Sequence, residues 1–503
     1  MKSIPTNLCF LFLLLALFSN QIRAQTGGDA IIYPEEKGTL IDAFFYDLKQ
    51  WAGAVNSESK ANDLFVTDGM NGVRISIYGN NSKPAHPSAG VVVESEYTGL
   101  ISSINLAKTT RGTSGLTIFA SKKLEGQDSF PDWVKDEDGI IPEQYATLLA
   151  DFIRYMNSKG IEIDVLGIDN ERVYNEGNMT PQKHKETVDF LKAFSVSDQF
   201  TMPLIIGHED YGPNKNDWMK TLSENDWLDR IDLYGTHYYP QYRPKSKLIT
   251  DLSYAGDKPF WSTEPHWDNK SEQDQLAIAE QAMCALWDQT DLGMSGVMWW
   301  NYELTSHRGY MMRNATVPLL DSQPIDMDDI DGRDISTLGK LQTRAFRKGD
   351  QITVYAINMS ETLDYPNYGF NLNSGTINGT VAFKQWTDES ATIGNSGSAN
   401  LISDTKFELN LPARSITSFT FNLGTVTGTT SVSSTSTIFV FPNPVSDILS
   451  IFGLQAGSTY AVYNLNGEKI LEGETTQLNV ANLNTGIYIL KTTDGKILKF
   501  IKA

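Results

Sequence analysis

Two glutamates offer the most definite chemistry in this chain. Glu171 closes the segment Gly167-Ile168-Asp169-Asn170-Glu171, at the end of an apolar run that begins at Ile163. Glu264 follows Pro259-Phe260-Trp261-Ser262-Thr263. A carboxyl at the C-terminal end of a barrel strand stands at the mouth where reactions are run. Two of them across one anomeric carbon suit cleavage of an acetal: one protonates the departing oxygen and the other serves the opposite side of the carbon. A single glutamate among 61 acidic residues is ordinarily a solvated charge. The shared strand-end placement, with Asn170 beside Glu171, sets these two apart.

Other residues fit around that pair. Arg74 lies inside the apolar run Val73-Arg74-Ile75-Ser76-Ile77, so it either snorkels to the surface or, if buried, needs a charged partner. His237 and Tyr238, in Thr236-His237-Tyr238-Tyr239-Pro240, are each placed to hydrogen-bond the attacking carboxylate and keep it ionised. Trp133, Trp261, Trp267, Trp299 and Trp300 lie near strand ends; about half are expected to be core and Trp300 to be a platform for a sugar ring. Trp133 is a second binding candidate, with His266 and Tyr302 behind it. Glu176 reads as a loop charge, Glu209 as a surface charge before a subsite residue, and Glu303 as the substitute acid. The six histidines are scattered without His-x₃-His spacing and there is no cysteine cluster, so neither a metal nor a cofactor is expected.

Positioning such a pair calls for strands alternating with helices. Strand-like runs occur at 73–77, 116–120, 163–168, 203–207, 231–235 and 296–300, and Tyr145 to Lys159 carries helical spacing that Gly160 ends. A (β/α)₈ barrel over 25–334 accounts for this pattern. The other solution, a doubly wound open sheet, should place a glycine-rich phosphate loop after its first strand, and none is present. The two glutamates are 264 − 171 = 93 residues apart. At roughly 31 residues per βα unit that is three units, the interval between strands four and seven.

Residues 335–422 change to short β-branched strands with turns between them, the pattern of an all-β sandwich. A Gly/Ser/Thr linker follows over 423–437, then a further small β-sandwich over 438–503. At the other end, Lys2, the apolar stretch Leu8 to Phe18 and Ala24 form a signal peptide over 1–24. The stretch is too short to span a bilayer comfortably and no later one is apolar enough, so no membrane span is expected after cleavage. Cys9 leaves with the leader, so Cys284 is the one thiol and is read as a buried structural group. A net charge of −20 argues against nucleic acid and anionic membranes as partners.

With these residues in hand, the region from about 40 to 422 resembles the clan of (β/α)₈ retaining glycosidases, and is closest to glycoside hydrolase family 30. The resemblance rests on Asn170-Glu171, Trp261-Ser262-Thr263-Glu264, Tyr145 to Phe152 running into Gly160 to Asp164, Phe130-Pro131-Asp132-Trp133-Val134-Lys135, and Leu411-Pro412-Ala413-Arg414-Ser415. It departs at Arg172, where proline is usual, and at Asp169, where glutamine is commoner. The resemblance implies that Glu171 is the acid/base and Glu264 the nucleophile. It further implies that Asn170 bonds the sugar's 2-hydroxyl and that Arg74 lies near the nucleophile.

Residues 438–503 resemble the type A sorting domain of the type IX secretion system of Bacteroidetes, through Phe441-Pro442-Asn443-Pro444, Tyr463-Asn464-Leu465-Asn466-Gly467 and Gly486 to Lys491. A carbohydrate-binding module there would want exposed tryptophans, and this region has none. The expectation is a monomeric, secreted or surface-attached hydrolase of β-linked polysaccharide, of the β-glucan or xylan type, exported by the type IX machinery. The alternatives are an agarase- or porphyranase-like hydrolase of algal galactans and a catalytically silent glycan-binding protein.

Overall fold

The computed structural model describes residues 30–48, 54–78, 84–122, 130–171, 179–213, 217–239, 245–265, 275–300, 302, 304, 307–328, 341–387, 393–424, 439–441, 445–452, 458–464, 468–493 and 497–502. Within them, eight short strands pair side by side and close into a parallel barrel: Ala43–Asp47, Gly72–Ile77, Thr117–Lys122, Val165–Gly167, Leu204–Tyr211, Leu233–His237, Phe260–Ser262 and Met294–Val297. A helix follows each strand, from Glu58–Asn62 after the first to His307–Thr316 after the eighth. Glu171 therefore follows strand four and Glu264 strand seven, the interval expected from their spacing.

Side chains alternate between the two faces of a strand, and this parity decides what the barrel encloses. Its interior holds Ala43, Phe45, Phe119, Val165, Ile206, Leu233, Trp261 and Met298. The alternate residues Val73, Ile75, Ile77, Ile118, Leu166, Ile205, Tyr234 and Phe260 face the helices in the larger core. By the same alternation strand two offers the interior only Gly72, Arg74 and Ser76, all buried. A side chain at Gly72 would run into the Phe45 ring. Strand two thus sends a charge, not a hydrocarbon, into the upper layer of the barrel, where the Arg74 guanidinium sits 5.5 Å from the centre of the Phe119 ring.

The first strand, Ala43–Asp47, was not among the runs read from the sequence. It is five residues long and buried throughout, so no alternation of apolar and polar residues marks it.

The all-β layer is a ten-stranded sheet whose aromatic core brings Phe370 onto Phe407 at 5.1 Å and onto Phe419 at 5.0 Å. Phe370 and Phe407 sit on paired neighbours, but Phe419 belongs to a strand far away in the sheet order, so the sheet faces itself as in the expected sandwich. Its boundary differs from the one at 334/335. Ala30–Lys37 pairs antiparallel with Gln323–Asp328 and parallel with Tyr365–Leu372, so both flanks of the barrel segment belong to this sheet. The chain enters through the sandwich, builds the barrel and returns. A ladder made by segments nearly 300 residues apart leaves no local mark in either one. Arg344 of the sandwich pairs with Asp291 beyond the seventh barrel helix, 2.9 Å between Nη2 and Oδ2.

The chain divides into two compact units, 1–426 and 427–503. The second holds a three-stranded and a four-stranded sheet around Val445, Leu449, Val462, Leu490 and Phe500, a small β-sandwich as expected. Cys284 is buried with a free thiol that burial raises well above its usual range. Among the described residues no helix is long and apolar enough to cross a membrane. The leader and most of the linker lie outside the described residues, as do Glu176, His266, Trp267 and Glu303.

Candidate active site

Arg74 is the centre of the site. It is fully buried and donates to five acceptors from five different barrel segments. Nη1 bonds Glu264 Oε1 and lies 3.4 Å from Asp47 Oδ2. Nη2 lies 2.5 Å from Glu209 Oε1, 3.2 Å from Asn170 Oδ1 and 3.4 Å from His237 Nε2. Burial works against the guanidinium's charge, but Glu209, Glu264 and Asp47 outweigh it and hold Arg74 ionised far above its ordinary range. Removing one partner from such a buried group typically costs about 3–5 kcal/mol, because a charge is left without compensation.

The guanidinium also fixes the state of His237. Arginine only donates, so Nε2 of His237 must accept and the ring proton sits on Nδ1. That proton points at both candidate carboxylates, 3.0 Å from Glu171 Oε1 and 3.3 Å from Glu264 Oε2. The three groups offer atoms that all lie within 4.8 Å of one another. Two carboxylates and an imidazole this close resemble a cation site, but Arg74 already supplies positive charge there, and a second cation would oppose it.

Glu171 is partly open, with a side chain 14% exposed, whereas Glu264 is 4% exposed. This asymmetry leaves the first within reach of solvent and the second walled in. The approach to Glu171 is set by its backbone: Asp169 Oδ1 accepts the Asn170 N–H at 2.9 Å, and Glu209's carbonyl accepts the Glu171 N–H at 2.9 Å. Glu171 has φ 49° and Glu209 φ 43°, both in the left-handed region that non-glycine residues rarely adopt. Such conformations gather where a site must aim a side chain.

The structure thus brings Glu171, Glu264, Arg74, Asn170 and His237 together. Tyr238 is a correction. His237 takes the inward parity of strand six, so Tyr238 turns outward; it is wholly buried and its hydroxyl donates to Asp288 at 3.4 Å. It does not line the site. Trp299 is turned outward too, buried with its indole N–H donated to Thr316 Oγ1 at 2.9 Å, while Trp261 fills the barrel interior against Phe45. Trp300 is half-exposed just beyond strand eight, at the end of the barrel that carries the carboxylates. Trp133 is half-buried in the loop after strand three, its indole N–H donated to the His86 carbonyl at 2.8 Å. Tyr302 is buried and bonds Asp68, which Arg313 also grips, so its role is structural.

Glu209 is the second correction. It was read as a surface charge; it is completely buried beneath Arg74, with its other oxygen accepting from Ser121 Oγ at 2.8 Å. Asp47, equally buried, was not singled out at all. Asp47 ends the first strand after apolar residues, as Glu171 and Glu264 follow theirs, whereas Glu209 lies within Leu204–Tyr211 behind Gly207-His208; both pair with Arg74.

Comparison with known proteins bears on each unit. The family of secretion system C-terminal sorting domains matches 439–503. These last residues are a sorting domain of that family. Its strand Phe439–Phe441 opens the matched region. Two glucuronoxylanases XynC, from Bacillus subtilis and from its strain 168, are 24% and 22% identical over 296 and 299 residues. Each match takes in 55% of this chain and spans just under two thirds of the relative's own length, 65% and 66%. Among solved structures, a GH30 endoxylanase from Clostridium papyrosolvens C71 superposes with a TM-score of 0.59 at 19% identity, covering 78% of this chain and 100% of that one. The catalytic domain of GH30 xylanase C from Talaromyces cellulolyticus gives 0.58 at 17% identity, covering 78% and 99%. At such identities the likeness to these structures is one of fold. These two relatives and these two solved structures are glycoside hydrolases.

Proposed function

We propose that this protein is a secreted retaining glycoside hydrolase that cleaves β-linked xylan by double displacement, with Glu264 as nucleophile and Glu171 as acid/base. The observation that carries the reading is the closeness of the two carboxylates. Their facing oxygens lie within 4.8 Å through His237, on the short side of the about 5–5.5 Å between carboxyl groups typical of direct attack. An inverting enzyme needs about 6.5–9.5 Å to lodge a water.

Each residue then has a task. Glu264, gripped by Arg74 and by the Nδ1–H of His237, is held ionised and aimed. Glu171, more open to solvent, gives its proton to the departing oxygen and then takes one from the water that enters on the vacated side. Asn170, anchored by Arg74, offers its amide to the sugar's 2-hydroxyl, a contact that strengthens in the transition state. Trp300 and Trp133 are placed beyond strands eight and three to stack on sugar faces. The xylan assignment follows the activity named for the relatives; a β-glucan is the other substrate of the same geometry.

The test is to incubate the purified protein with glucuronoxylan, arabinoxylan, mixed-linkage β-glucan and agar, and to follow the first products by NMR before mutarotation. Hydrolysis of the xylans with retained anomeric configuration is expected. Inverted products would end the mechanism, and cleavage of agar alone would end the substrate assignment.

The sorting domain gives this enzyme its route out of the cell through the type IX machinery. Since 427–503 forms a unit of its own, a chain ending at Val426 is expected to keep its melting temperature within about 2 °C and its full turnover, because few contacts cross such a boundary. The same truncation should leave the protein inside a type IX-competent host, as read by cell fractionation. An insoluble or inactive truncation would contradict this.

A further inference from the structure

Double displacement needs two carboxylates, yet Arg74 faces three. Glu264 is one of the working pair; Asp47 and Glu209 are not. Glu209 is tied to both halves of the machinery at once. Its side chain bonds the guanidinium that grips Glu264, and its backbone carbonyl accepts the N–H of Glu171. Ser121, on strand three, holds its second oxygen. Room for it is made by strand four, where any side chain at Gly167 would run into Glu209 Oε2.

We propose that Glu209 is a positioning residue that sets the spacing and the charge of the Glu171–Glu264 pair. The proposal rests on the hydrolase reading above and deepens it.

Two consequences follow from the geometry. Mechanically, Glu209 is a strut between strands two, three and four: Arg74 cannot move without it, and Glu171 leaves the strand in a left-handed conformation that the Glu209 carbonyl pins. Electrostatically, Arg74 carries one positive charge against three negative ones. Were Glu209 absent, more of that charge would fall on Glu264 and quench its attack. With Glu209 present the cluster stays net negative, which suits the positive charge that develops on the sugar ring in an oxocarbenium-like transition state.

The groups that share this field are Arg74 from strand two, Asp47 from strand one, Asp169 and Glu171 from strand four, His237 from strand six, Glu264 from strand seven and Tyr145 from the helix before strand four. Removing one negative charge makes each remaining carboxylate easier to ionise. Both limbs of the bell-shaped pH profile should then move to lower pH, a shift that a merely structural role would not cause.

The experiment compares Glu209→Gln, Glu209→Asp and Glu209→Ala in the full chain. Glutamine keeps the shape, accepts from Arg74 and donates to Ser121, but removes the charge. It is expected to lower kcat on xylan about 10- to 100-fold with KM changed less than about threefold, in the range of a lost electrostatic contact, and to move both limbs at least about half a pH unit downward. Aspartate keeps the charge and loses reach, so kcat falls while the limbs stay. A crystal structure of ligand-free Glu209→Ala needs no substrate and should show the Arg74 guanidinium turned away from Glu264. Should that variant not fold, the glutamine variant's pH profile decides. Wild-type kcat with unmoved limbs in Glu209→Gln, or Arg74 in place in Glu209→Ala, would overturn the proposal. A wild-type protein inactive on every β-glycan would instead sink the hydrolase reading, and the crystallographic arm would still decide whether Glu209 holds Arg74.

Discussion

Glu264→Gln is expected to lower kcat/KM on xylan by on the order of 10⁵-fold, about 7 kcal/mol of transition-state stabilisation. An amide has no lone-pair charge to form the glycosyl ester, and no neighbour can substitute. Glu209 and Asp47 are both fully buried and engaged with the Arg74 guanidinium. Glu171 lies across the cleft, where it must act as acid. The fold should survive, because glutamine fills the same volume and its amide oxygen still accepts from Arg74. Arg74 also keeps two carboxylates, so no buried charge is stranded. A melting temperature within about 5 °C of wild type, with turnover at background, is the expected pair of results. Turnover within tenfold of wild type would remove Glu264 from the role of nucleophile. A collapsed melting curve would show that the fold depends on its charge.

How this site could be read from the sequence depends on what each residue's neighbours disclose. Glu171 and Glu264 end apolar runs and carry Asn170 or Thr263 before them, so strand, end and carboxyl all lie within a few residues. Arg74 was equally visible, since an arginine among Val73, Ile75 and Ile77 must find a charged partner or leave the core. Tyr238 was misplaced although the sequence holds the answer. Inward and outward positions alternate, and once His237 points in, Tyr238 must point out. Glu209 and Asp47 were missed for another reason. The positive charge that faces both in the barrel is that of Arg74, which is 135 residues from one and 27 from the other. No local pattern announces a partner at that distance. The same holds for the sandwich boundary, where Ala30–Lys37 is completed by strands near 325 and 370. Short-range pattern marked most of the elements and the two carboxylates that the structure brings together; the charge network around Arg74 exists only once the barrel has closed.

Glu171→Ala should separate the two halves of the reaction. On xylan the departing group is a sugar hydroxyl, a poor leaving group that must be protonated as the bond breaks, so kcat/KM is expected to fall by about 10³- to 10⁴-fold, the upper part of what general acid catalysis supplies. On an aryl xyloside with an acidic phenol the leaving group departs unaided, and kcat/KM should fall less than about tenfold, since only glycosylation enters that ratio. The second half then becomes limiting. Water can no longer be deprotonated by Glu171, the glycosyl ester on Glu264 accumulates, and steady-state kcat drops after an initial burst of phenol. Azide needs no base, so adding it should restore kcat and yield a β-glycosyl azide. Equal losses on both substrates, or no rescue by azide, would show that Glu171 is not the proton donor. The proton donor would then have to be another acid, despite the 14% exposure of the Glu171 side chain.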